Sequence, residues 1–191
     1  MRRTTTNSDL TMQVRLFLAV MILAAARLSA QEQQQVQRHI IVSLEDRKLA
    51  LLEDGVVTRV FPVAIGKESS PSPSGSFKVV NRVTNPTYYH PGKVIPSGAA
   101  NPLGNRWIGL SQKGYGIHGT NEPKSIGKAA SHGCIRMAKK DLEELFEILR
   151  PGDEVEIRAE RDDETAQIFG SEPVIVATAT TTSEGSSSAA R

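Results

Sequence analysis

Cysteine is all but absent: Cys134 is the only one among 191 residues, so no disulfide can form within the chain and none supports its fold. Aromatic residues make up 5% of the sequence, with a single tryptophan, and apolar residues 39%, which bounds the core to one modest domain. The only long apolar run, Leu16 to Ala26, has eleven residues and is too short to cross a roughly 30 Å hydrocarbon layer comfortably as a helix. Acidic residues are scarce in the middle of the chain, where Arg59 to Lys140 holds twelve Lys or Arg against Glu68 and Glu122 alone. Internal repeats are also missing.

The formal charge of +2 misleads, because residues 1–30 contribute four arginines and one aspartate and the remainder sums to −1. A chain so balanced has no reason to bind nucleic acid. The basic middle would suit a carboxylate-bearing substrate, or it is a solvated face; both readings stay open.

The organisation follows from composition. Residues 1–30 read as an export signal, with Arg2, Arg3 and Arg15 before the apolar run and Leu28 and Ala30 at the recognition positions for cleavage after Ala30. An uncleaved anchor is the alternative. Residues 31–38 form a polar spacer, residues 39–158 one compact domain, and residues 159–191 a Ser/Thr/Ala-rich tail expected to be disordered.

The domain reads as mainly β within the α+β class. Ile40 to Leu44, Lys48 to Leu52 and Val56 to Ile65 read as strands and are separated by Glu45-Asp46-Arg47 and Glu53-Asp54-Gly55, which suit hairpins. Phe77 to Val83, Trp107 to Leu110, Tyr115 to His118 and Asp153 to Arg158 read as further strands. Leu142, Leu145, Phe146 and Leu149 share one helical face, Asp141, Glu143 and Glu144 suit its positive end, and Pro151-Gly152 stops it. One amphipathic helix covering the sheet is therefore expected, with no good side-chain cap at Ala138.

A lone cysteine in an oxidising compartment stabilises nothing by cross-linking, so its neighbours decide its meaning. Cys134 lies in Ser131-His132-Gly133-Cys134-Ile135-Arg136, in a loop between strand and helix. A thiol attacks a carbonyl carbon only as thiolate, which calls for a base and for backbone donors to hold the oxyanion. His118, sixteen positions upstream between Ile117 and Gly119, can supply the base. The pair suggests acyl transfer through a thioester.

Those two segments, together with Pro73-Ser74-Gly75-Ser76-Phe77 and Asn101-Pro102-Leu103-Gly104, resemble the catalytic domain of bacterial L,D-transpeptidases of the YkuD type. The resemblance spans Ile40 to Ile157 and implies a β-sandwich-like domain with a short helix. It implies that Cys134 is the nucleophile and His118 the base, oriented by the backbone carbonyl of Gly119, a position where any side chain would serve. The N–H groups of Gly133 and Cys134 would form the oxyanion hole. His132 would shape the site, Arg136 would hold the loop or a substrate carboxylate, and Ser131 of the same motif would bind substrate. Tyr89 and Trp107 are expected in the core or the groove wall.

The implied partner is a peptidoglycan stem peptide in the periplasm or cell envelope. Cys134 would attack the third residue, release D-alanine and pass the acyl group to another stem, to a lysine of a wall-anchored protein, or to water. Neither metal nor organic cofactor is implied, and carbapenem-type β-lactams would trap Cys134 slowly. Two other classes are weighed against this. His118, His132 and Cys134 could ligate zinc in a hydrolase, or the basic stretch could grip an anionic wall polymer without catalysis. A papain-like peptidase would place its cysteine before its histidine, the reverse of the order here.

Overall fold

The computed structural model describes residues 36–170, so the expected export signal, most of the spacer and residues 171–191 lie outside the described residues. The described residues form eleven strands: β1 (Arg38–Ser43), β2 (Lys48–Glu53), β3 (Val56–Gly66), β4 (Gly75–Thr84), β5 (Tyr88–His90), β6 (Lys93–Ile95), β7 (Arg106–Leu110), β8 (Gly116–His118), β9 (Ala129–Ser131), β10 (Ile135–Met137) and β11 (Glu154–Arg158). Two α-helices join them, α1 (Lys139–Ile148) and α2 (Asp163–Gly170).

The opening meander forms as its turn chemistry dictates. Asp54 and Gly55 sit at φ 50° and 79°, the paired positive values of a two-residue hairpin turn, and β2 and β3 run antiparallel on either side. Nine strands follow one another in the order β10-β8-β7-β4-β11-β1-β2-β3-β9, and β10 also pairs with β3. That extra pairing closes the sheet on itself through β3, which gives the expected sandwich-like, mainly β domain and leaves β9 as its open edge. β5 and β6 form a separate hairpin.

Strand alternation sorts the core. Ile40 and Val42 of β1, Leu49 and Leu51 of β2, Ile108 of β7, Ile117 of β8 and Ile135 of β10 all bury into one cluster with Leu142, Leu145 and Phe146 of α1. The helix therefore presents the apolar face its spacing predicts, and its start at Ala138 lacks a side-chain cap. The alternate residues of β1 and β2, namely Ile41, Ala50 and Leu52, face the other way and are covered by Phe169 of α2.

That cover corrects the expectation of one helix followed by a disordered tail from residue 159. Asp162 Oδ1 accepts the Thr165 N–H at 2.8 Å and Thr165 Oγ1 accepts the Asp162 N–H at 2.8 Å, a reciprocal cap that starts α2. Lys48 Nζ donates to the Phe169 carbonyl at 3.2 Å and ties the helix end to β2. Arg158 adds ion pairs to Asp162 and Glu164, both at 2.7 Å.

Candidate active site

The closed end of the sheet decides which side chains meet. Ile108, Ile117 and Ile135 of β7, β8 and β10 point into the core, so their neighbours Trp107, His118 and Arg136 point out together on the opposite face. Register places Trp107 opposite His118 on the antiparallel pair and Arg136 opposite His118 on the parallel pair. Cys134 precedes β10 and extends that row by one position.

Trp107 is seated over two glycines. A Cβ at Gly116 would lie 2.6 Å from the indole and one at Gly109 would lie 2.9 Å from its Nε1, so both positions admit only hydrogen. The indole then stacks on the His118 ring with centroids 5.7 Å apart and planes 17° from parallel.

His118 is 5% exposed. Its Nδ1 lies 2.6 Å from the Gly119 carbonyl oxygen, which only accepts, so Nδ1 carries the hydrogen and Nε2 keeps its lone pair. Burial disfavours the imidazolium more than that hydrogen bond favours it, and the charge of Arg136 adds to the effect, lowering the pKa to about 4. A Cβ at Gly119 would meet Gly104 Cα and the Leu103 carbonyl at 3.1 Å, tighter than ordinary contact, so the expectation that any side chain would serve is corrected.

The Cys134 Sγ–H donates to the Gly114 carbonyl at 3.7 Å. Burial pushes the thiol pKa up, while an N–H of Gly116 and the charge of Arg136 pull it down without prevailing. At neutral pH the two groups are therefore a thiol and an uncharged imidazole. Both line one cavity of about 110 Å³ together with Ser131, His132 and Arg136.

Ser131 orders the loop. Its buried hydroxyl donates to the Cys134 carbonyl at 2.5 Å and accepts the Gly133 N–H at 3.0 Å. The Gly133 N–H, which the resemblance assigns to the oxyanion, is donated to the Ser131 hydroxyl in this structure. His132 is exposed at the cavity edge. Arg136 Nη1 donates to Glu122 Oε2 at 2.9 Å.

A second, apolar groove of about 620 Å³ reaches Cys134 from the side of the β5–β6 hairpin, between Tyr88, Tyr89, Leu103 and Trp107. Tyr89 is 74% exposed on that hairpin, so of the two expected aromatics Trp107 is the fixed wall and Tyr89 the outer one. The hairpin is held by a residue to which sequence reasoning gave no role. Buried Asn101 donates from Nδ2 to the carbonyls of Pro86 at 2.8 Å and Pro96 at 3.2 Å, and its Oδ1 accepts the Leu103 N–H at 2.8 Å. The Asn-Pro signal was visible, but not the span it bridges.

Among the described residues no three His, Cys, Asp or Glu side chains gather as a metal-ligating group, so the zinc reading has no ligand set here.

The profile of the YkuD family, described as the L,D-transpeptidase catalytic domain, matches residues 37–157. The chain belongs to this family. It is 43% identical over 118 residues to a YkuD-named L,D-transpeptidase of Bacillus licheniformis, covering 62% of this chain and 64% of that protein. The Bacillus subtilis counterpart is 42% identical over 119 residues, covering 62% and 65%. The chain thus spans just under two thirds of the length of these relatives. Among solved structures, an Enterococcus faecium L,D-transpeptidase with a cysteine-to-serine mutation superposes with a TM-score of 0.55 at 27% identity, covering 64% of this chain and 50% of that one.

Proposed function

We propose that the protein is a peptidoglycan L,D-transpeptidase that works through a thioester on Cys134. The observation that carries this reading is the meeting of the only thiol with a buried imidazole whose Nε2 is unprotonated, in one cavity at the end of an apolar groove. A tetrapeptide stem would lie in the groove between Tyr89 and Trp107, with the carbonyl of its third residue at Cys134. Because the thiol is neutral at rest, its proton passes to His118 Nε2 as sulfur attacks, and no standing ion pair is needed.

The oxyanion formed takes the Cys134 N–H and competes with the neutral Ser131 hydroxyl for the Gly133 N–H, a contest that charge favours. The bond to D-alanine breaks as His118 returns its proton to the leaving amine, and a thioester remains. An acceptor amine then attacks, gives its proton to His118, and the released sulfur is reprotonated. With a second stem as acceptor the product is a cross-link between third residues. Arg136 borders the reacting cavity and supplies positive charge there, His132 lines its outer edge, and the Gly119 carbonyl keeps His118 in its tautomer. The Leu16 to Ala26 run and its flanking arginines support export to the cell envelope, where this substrate resides.

The test is incubation of the chain from Gln31 onward with purified disaccharide-tetrapeptide, products followed by mass spectrometry. Dimers lacking one D-alanine support transpeptidation. Tripeptide monomers alone would move the reading to a carboxypeptidase or to an amine acceptor missing from the tube, such as a wall-protein lysine. Absence of any product would overturn it.

A further inference from the structure

The loop that follows His118 carries Glu122, one of only two acids between Arg59 and Lys140. Its backbone is pinned: the N–H donates to Thr120 Oγ1 at 2.9 Å, and the carbonyl accepts from the Ser125 hydroxyl at 2.7 Å and from the Ser125 N–H at 2.9 Å. Only the side chain is left to swing, and it reaches Arg136. The two ends of that ion pair differ, since the Arg136 side chain is 11% exposed and that of Glu122 67%. Arg136 is thus fixed at the wall of the cavity that holds Cys134 and His118, while its partner comes from solvent.

An ion pair held from solvent at its acidic end by a single contact is weak. A guanidinium has five N–H donors, and it receives an incoming carboxylate in a two-pronged geometry that a single Nη1 contact leaves open. We propose that Glu122 is a resident competitor: it occupies Arg136 until a carboxylate of the donor stem displaces it, so that Glu122 sets donor affinity and favours acidic donors over amidated ones. The donor named here rests on the transpeptidase reading. A tetrapeptide offers such a group at its terminal D-alanine and, where the third residue is diaminopimelate, at the far end of that side chain.

Replacing Glu122 by glutamine leaves Arg136 competent all the time. The gain in apparent affinity is the reciprocal of the fraction of time the pair leaves Arg136 free, about two- to six-fold for a pair as weak as those at protein surfaces. Cys134→Ala protein, which binds but cannot react, is titrated by calorimetry with and without Glu122→Gln. The ligands are the free disaccharide-tetrapeptide, the forms amidated at D-alanine or at diaminopimelate, and the doubly amidated form. The expected result is a two- to six-fold gain for the free form that vanishes in the doubly amidated form and in one singly amidated form, which identifies the carboxylate. In protein that keeps Cys134, Glu122→Gln lowers KM with kcat unchanged. No gain with the free form, no binding of it, or a gain that survives double amidation overturns the proposal. If the gain is found but Cys134-containing protein turns over no tetrapeptide, the transpeptidase reading fails while the carboxylate exchange stands.

Discussion

Acidification singles out His118. Its ring is buried under Trp107, and its pKa falls from an ordinary 6.5 to about 4, with burial as the main cause. A tenfold change in proton affinity corresponds to about 1.4 kcal/mol, so protonating this imidazole in the folded chain costs about 3 kcal/mol more than in the unfolded one. The folded value lies below the unfolded value, so from about pH 6.5 down to about 4 the unfolded chain binds more protons. Stability is therefore full above that window and falls as pH drops through it. Urea unfolding at pH 7 and pH 4.5 compares the native chain with His118→Gln, in which other titrations largely cancel. The substituted protein is expected to lose about 2–3 kcal/mol less on acidification. Equal losses, or an imidazole seen by NMR to titrate near 6.5 or above, would refute the reasoning and with it the neutral thiol–imidazole pair.

Two further outcomes follow from packing. Gly119→Ala drives a Cβ against the Gly104 and Leu103 backbone at 3.1 Å, which should cost about 1–3 kcal/mol in thermal unfolding and lower kcat by shifting the carbonyl that holds His118. Unchanged kcat would show that the loop relaxes. Phe169→Ala should cost about 3 kcal/mol, the low end for a buried phenylalanine because its cluster is small, and truncation after Arg158 should cost at least as much by uncovering Ile41, Ala50 and Leu52. A truncated chain that unfolds at the same temperature would return α2 to the status of a dispensable tail.

The strands were legible where a pattern runs over five or more residues: Asp153 to Arg158 carries the period two of a half-buried strand, and Ile40 to Leu44 the apolar run of a strand buried on both faces. β5, β6, β9 and β10 have three residues each, too few to carry a period, and closure of the sheet by the β3–β10 pairing joins segments some seventy residues apart. No local pattern encodes that. α2 escaped notice because its apolar anchors, Phe169 and the partly buried Ile168, are adjacent at one end of a polar segment and mark no helical face, although the Asp162 to Thr165 cap was readable beforehand. At the site, the types and order of Cys134, His118 and Arg136 stood in the sequence. The approach of Gly104 to Gly119 is a distance of tertiary origin that no motif states, whereas the donation of the Gly133 N–H to Ser131 is a local contact across two residues that Ser-His-Gly permits but does not require.

One experiment bears on the nucleophile itself. The chain from Gln31 onward and its Cys134→Ala variant are incubated with a carbapenem, and intact mass and peptide mapping are followed over hours. A one-to-one adduct mapped to Cys134 and missing from the variant is the expected result. An adduct on another residue, an equal adduct on the variant, or none on either would contradict acyl transfer through this thiol.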